Sequence, residues 1–157
     1  MTDKSTPIGP LKLIQDHIDT HGFLSWLGVH VEEVDYGKLV MTIPFNEKLT
    51  NHSPQEDDET VSSLSQIHGG VAATLVDTVG GIVLWPYLDE PLEGNVATIN
   101  LTVNYLRPAT DDLTATAEVI RAGRSIGVST VTVNSETPDG ETKPVAVGQG
   151  AYRLFQS

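Results

Sequence analysis

Fifteen residues constrain this chain more than any others: Val71 to Trp85 read VAATLVDTVGGIVLW. A helix over Val71–Leu84 is apolar on nearly every side, and such a helix belongs in the middle of a fold. The segments flanking it are polar loops, so it cannot bury itself. It must lie against a sheet that curls around it.

The rest of the chain supplies that sheet. VHVEEVDYGKLVMTIPF reads as two strands about a turn at Asp35-Tyr36-Gly37. After the helix, Ala97, Ile99, Leu101, Val103 and Tyr105 alternate with Thr98, Asn100, Thr102 and Asn104, the period of a half-buried strand. Further strands are expected over Leu113–Ala122, Ile126–Asn134 and Val145–Phe155, separated by the turn signals RPATDD, AGRS and ETPDGETKP. At the N-terminus a helix from Pro10 is expected to stop at Gly22, with a short second turn through Leu27. The expectation is an α+β fold over residues 1–157 as one domain, 1–27 being an N-terminal helical segment. Five to six antiparallel strands would wrap one long central helix. Asn46–Ser65 is a long polar loop with an acidic run at Glu56–Glu59.

Charge narrows the function. Lys plus Arg total 9 against 21 Asp plus Glu, a net charge of −12. Such a surface repels phosphate backbones and anionic lipid, so neither a nucleic-acid nor a membrane partner is expected. There is no cysteine, which excludes disulfides, thiolate metal sites and a cysteine nucleophile. The N-terminus lacks an apolar signal-peptide core, and a cytoplasmic protein is the expectation. His17, His21, His30, His52 and His68 show no paired ligand spacing, so no metal is expected.

Within the apolar helix one residue is out of character. Asp77 has Ala73, Thr74, Gly80 and Gly81 three and four positions away and Gly70 seven back, all small. Leu75, Val79 and Ile82 lie on the other side. Two interior glycines cost roughly 1 kcal/mol each against alanine, so a backbone or a ligand must approach this face closely. Asp77 is either a structural carboxylate bonded to a neighbouring element or a general base or nucleophile in a narrow cleft. His68-Gly69-Gly70 at the helix start favours the second. Its glycines expose first-turn N–H groups that, with the helix dipole, can hold an oxyanion. Gly69 and Asp77 are eight residues apart, about 12 Å along a helix. That is too far to serve one carbonyl, whereas two antiparallel copies of the helix would join one chain's glycines to the other's carboxylate. A homodimer with two shared sites is therefore expected, or a dimer of dimers.

Helix, strands, HGG, seven residues, D, then four strands resembles the hotdog-fold thioesterases, specifically the phenylacetate-degradation (PaaI-like) group. The resemblance spans roughly Gly28 to Phe155 and rests on IHGGVAATLVD, with NYLRPA at the end of the next strand in support. It implies an acyl-CoA thioesterase. Asp77 would activate water or attack the thioester, and the Gly69 or Gly70 N–H would polarise its carbonyl. His68 would order the loop, and Thr98 would assist the carboxylate. Thr98 falls on the polar face of its strand by simple alternation. The group often carries Asn or Gln six residues before the histidine. Here that position is Ser62, with Asn51 as a substitute near the substrate. No cofactor is implied beyond the coenzyme A carried by the substrate, whose phosphates would meet Arg107, Arg121, Arg124 and Ser125.

Other readings are weaker. Gly123-Arg124-Ser125-Ile126-Gly127 matches G-x-S-x-G, but strand residues follow it and no histidine lies downstream, so it is no nucleophile elbow. A dehydratase on the same fold would need a histidine working beside the carboxylate. A non-catalytic acyl-CoA-binding module would keep the pocket without needing the charge on Asp77.

Overall fold

The structure, a computed structural model, describes residues 8–51, 65–89 and 96–156. Two helices open the chain, α1 (Ile8–Thr20) and α2 (Gly22–Leu27). Gly22 does not end the first helix as expected; it begins the second. His21 is the N-cap of α2, its Nδ1 accepting from the Leu24 N–H at 3.3 Å, and Gly28 closes α2 at φ 74°. Gln15 ties α1 to the sheet. Its side chain accepts from the Val31 N–H at 2.7 Å and donates to the Val29 carbonyl at 3.3 Å.

Strands β1 (His30–Asp35) and β2 (Lys38–Ile43) form the expected hairpin, and a 3-10 turn follows at Glu47–Leu49. Helix α3 (Gly69–Ile82) comes next, then β3 (Val96–Tyr105), β4 (Leu113–Ala122), β5 (Ile126–Glu136) and β6 (Thr142–Leu154). All six strands join one antiparallel sheet in the order β1-β2-β4-β5-β6-β3. The sheet wraps α3, and this is the hotdog arrangement.

The apolar run Gly69–Tyr87 is long and apolar enough to cross a bilayer, yet α3 packs on five strands of its own sheet. Leu75, Val76 and Val79 are fully buried, as are Met41, Ile43, Leu113, Ala115 and Val133 from the strands. Glycines on the inner sheet face let the helix come close. A Cβ at Gly148 would stand 2.6 Å from Val76 Cγ1, and one at Gly150 would overlap the ring of Tyr152.

The small face of α3 is used inside the chain. Gly80 and Gly81 are filled by the buried ring of Tyr152 from β6, not by a second backbone or a ligand. Tyr152 Oη donates to the Asp77 carbonyl at 3.1 Å, and Ser129 Oγ donates to the Gly80 carbonyl at 2.7 Å. The second bond satisfies a carbonyl in the last helical turn that has no intrahelical partner.

The two sheet edges differ. β1 carries His30, Glu32, Glu33 and Asp35, charges that discourage further pairing. β3, the opposite edge, has no charged residue and leaves Ile99 56% and Tyr105 57% exposed.

Gly80→Ala tests the packing. Alanine gains up to about 1 kcal/mol of helix propensity. Its Cβ would overlap the Tyr152 hydroxyl and sit 3.0 Å from Ser129 Oγ. Overpacking a buried site costs about 1–3 kcal/mol, so a net loss of stability is expected in urea unfolding. A gain would show that the ring moves aside freely.

Candidate active site

The loop entering α3 is stitched from both sides. Thr50 and Ile67 form an isolated antiparallel bridge, and the Asn51 N–H donates to the Gln66 carbonyl at 2.9 Å. The His68 N–H reaches the Leu49 carbonyl at 2.8 Å and the Ile67 N–H reaches that of Ala109 at 2.9 Å. Asn51 is thus held beside the helix entrance, exposed. Ser62 lies outside the described residues.

His68 is the N-cap of α3, and its Nδ1 accepts from the Gly70 N–H at 2.8 Å. That separates the two glycines. The Gly70 donor is occupied, whereas no acceptor among the described residues meets the Gly69 N–H. Tyr105 covers Gly69 so closely that a Cβ there would lie 3.0 Å from its Cε1. The helix N-terminus therefore offers one aimed, unspent donor, reinforced by the helix dipole.

Asp77 lies two turns on, half-buried and not sealed in the core. It shares a stripe of small residues with half-buried Ala73 and Thr74 and exposed Gly70. Thr98 Oγ1 donates to Asp77 Oδ1 at 2.7 Å. Simple alternation would point Thr98 away from the helix, and a β-bulge corrects this. Thr98 pairs with Tyr152 and Asn100 with Ala151, so Ile99 is an extra residue. Beyond it Leu101, Val103 and Tyr105 pair with Gly150, Gly148 and Ala146. The inserted residue shifts the period by one, so Thr98 shares the helix-facing side with them. The carboxylate's second oxygen, Oδ2, has no partner among the described residues.

Behind the carboxylate sits Tyr152. Burial, with the nearby Asp77 charge adding to it, holds its phenol well above the ordinary value. The hydroxyl thus stays a donor to the Asp77 carbonyl throughout the neutral range.

The expected cationic residues fall at opposite ends of the sheet. Arg107 follows β3 at the Tyr105 end and donates to the Pro144 carbonyl at 2.8 Å. Arg121, Arg124 and Ser125 sit at the β4–β5 hairpin, beside the other end of β3. The ten residues of β3 span about 30 Å, so one chain cannot present both groups to one small ligand. Arg124 and Ser125 line a polar cavity of about 370 Å³ together with Arg153 and Gln156. Arg153 carried no signal in the sequence, because only the pairing of Ile126 with Arg153 brings it beside the hairpin. Lys12, Lys38 and Lys143 are each ion-paired, whereas Arg121, Arg124 and Arg153 have no ion pair among the described residues. No group of three or more His, Asp or Glu that could hold a metal occurs among the described residues.

Comparison with known proteins follows the same line. The thioesterase superfamily matches residues 65–141. A Halobacterium salinarum protein named "Putative esterase" is 48% identical over 92% of this chain and 91% of its own length. A Shewanella oneidensis structure related to the thioesterase superfamily is 26% identical, with TM-score 0.71 over 93% of this chain and 95% of that one. The Escherichia coli PaaI protein from the phenylacetic acid degradation operon is similar in fold at 20% identity, with TM-score 0.67 over 93% of this chain and 95% of its own.

His68→Ala removes the side-chain acceptor at the start of α3. Losing an N-cap costs about 1 kcal/mol, and His68→Asn is expected to retain most of that stability. Equal unfolding midpoints for wild type and His68→Ala would show that the cap contributes nothing.

Proposed function

The chain belongs to the thioesterase superfamily, and from that premise we propose that it hydrolyses acyl-CoA thioesters in sites shared between two copies. The observation that carries this reading is the layout of β3. Near its start Thr98 holds Asp77, and at its end Tyr105 covers Gly69. β3 is also an uncharged edge of the sheet, paired among the described residues only with β6. Antiparallel pairing of two such edges about a two-fold axis between Thr98 and Tyr105 sets Thr98 of one copy opposite Tyr105 of the other. One copy then supplies the carboxylate and the other the amide.

Each element has a defined task in that site. Asp77 takes a proton from water, and the resulting hydroxide attacks the thioester carbon; direct attack by the carboxylate is the variant with an acyl-enzyme. The Gly69 N–H at the helix N-terminus holds the oxygen that becomes negative. Gly70 carries little of that task, because its N–H is already bonded to His68. His68 shapes the turn, and Thr98 orients the carboxylate and leaves Oδ2 for water. The tetrahedral species collapses by expelling coenzyme A as thiolate, which needs no strong acid because a thiol has a pKa near 8.5. The proton held by Asp77 returns to the thiolate, so the reaction closes without a cofactor.

The same pairing unites residues that one chain keeps apart. Arg121, Arg124 and Ser125 accompany Asp77 from one copy, while Asn51 and Arg107 accompany Gly69 from the other. Arg121, Arg124 and Arg153, which have no ion pair among the described residues, are suited to the phosphates of coenzyme A, although Asp89 lines the same cavity as Arg124 and Arg153.

Thiol release from a panel of acyl-CoAs tests the reaction. Asp77→Asn is expected to lose at least about a hundredfold in turnover. A folded mutant with unchanged turnover would remove Asp77 from the chemistry. No turnover of any thioester by the parent would favour a binding module.

Subunit mixing tests the shared site. Gly69→Val and Asp77→Asn homodimers should both be inactive. Unfolded together and refolded as mixed dimers, they should regain activity, since each heterodimer has one site with both components intact. At equal input about a quarter of wild-type activity is expected, half the dimers being mixed and half their sites whole. No recovery, with mixed dimers demonstrated by mass, would put the amide and carboxylate in one chain.

A further inference from the structure

We propose that the open groove between α2 and the start of α3 is the acyl subsite, and that it takes a straight alkyl chain of about six to ten carbons. This rests on the hydrolase reading above and names its substrate class. The groove holds about 300 Å³, with Phe23, Trp26 and Leu27 of α2 on one side, Leu49 beneath, and Val71 and Thr74 of α3 opposite. That is room for about ten groups of water or methylene size.

Its walls are mostly apolar side chains, and several of the polar ones beside them are bonded within the chain. Thr74 Oγ1 donates to the Gly70 carbonyl and Thr50 Oγ1 to the Glu47 carbonyl, both at 2.8 Å. The Lys48 ammonium donates to the Trp26 carbonyl at 2.6 Å and lies 4.2 Å from the centre of the Trp26 ring. His68 Nδ1 is bonded to the Gly70 N–H. An alkyl chain entering the groove packs on the exposed Phe23 and Trp26 rings.

Two further observations mark the groove as a binding surface. Phe23 and Trp26 remain 52% and 54% exposed, two large rings on a six-residue helix that the core does not use. Lys48 fixes one of them by a cation–π contact, which holds that wall in place. The groove is also continuous with the site. Gly70 and Thr74 belong both to its wall and to the small stripe that carries Asp77. A thioester whose carbonyl meets the Gly69 N–H can lay its acyl chain over the first turn of α3 into the groove of that same copy. The copy that supplies the amide therefore selects the acyl group.

The test measures kcat/KM for acetyl-, hexanoyl- and decanoyl-CoA. In the wild type it should rise about fourfold for each methylene up to six carbons, the increment expected for burying one. Trp26→Ala should cut the decanoyl-to-acetyl ratio at least tenfold, while Tyr36→Ala, a change at an exposed ring outside the site, should keep it. An unchanged ratio in Trp26→Ala would overturn the assignment. So would an equal loss for all three substrates, which would put the shared pantetheine arm in the groove. Absence of hydrolysis throughout would instead overturn the hydrolase reading, and direct binding then decides the groove. Decanoate should quench tryptophan fluorescence saturably in the wild type and not in Trp26→Phe, with acetate inert in both. No quenching by decanoate, or equal quenching in Trp26→Phe, would overturn the proposal.

Discussion

The arrangement depends on one aromatic ring against three glycines. Tyr152 enters the space left by Gly80 and Gly81 on α3 and by Gly150 on its own strand. The ring then sets how deep the helix lies and where it stops along its axis. Its hydroxyl is bonded to the carbonyl of Asp77 itself, and Ser129 adds a second bond one turn further on. Side-chain packing of this kind admits few alternative positions, because interiors pack as densely as crystals. The carboxylate is thus positioned through its own backbone before its side chain meets any partner.

The sheet then brings Thr98 to the carboxylate by an irregularity. Without the extra residue at Ile99, Thr98 would face the opposite side from Leu101, Val103 and Tyr105. With it, the residue that holds the carboxylate and the residue that covers the helix start lie along one face of one edge strand. That strand has no charge to repel another copy, while the opposite edge carries His30, Glu32, Glu33 and Asp35. A chain of net charge −12 thus keeps one uncharged edge, the strand that carries Thr98 and Tyr105.

Much of the fold is legible in the sequence. The apolar run around Asp77 required a central helix, and alternation with turn signals located the strands around it. The residue types at His68, Gly69, Gly70 and Asp77 pointed to their chemistry. What escaped was whatever depends on a one-residue shift or a distant pairing. Gly22 looked like a helix end because glycine ends helices more often than it opens them, yet the cap at His21 reversed its part. Gly80 and Gly81 looked like a seam for another molecule, since spacing along a helix reveals that room exists but not what fills it. Gly69 and Gly70 looked equivalent until His68 took the second N–H. Arg153 was invisible, because an arginine in a strand acquires a setting only from its neighbours across the sheet.

By itself the sequence determined the elements and the chemistry they could bring: one buried helix, six strands, a carboxylate among small residues and an amide-rich turn. These follow from periodicity and side-chain type, which are local properties of the chain. Only the tertiary structure decided which face Thr98 takes, which glycine keeps its donor and what fills the small face of α3. It also decided where the arginines lie and which sheet edge stays open. Each of these depends on register between segments far apart in sequence. Register is settled by how side chains such as Tyr152 pack, which no local pattern encodes.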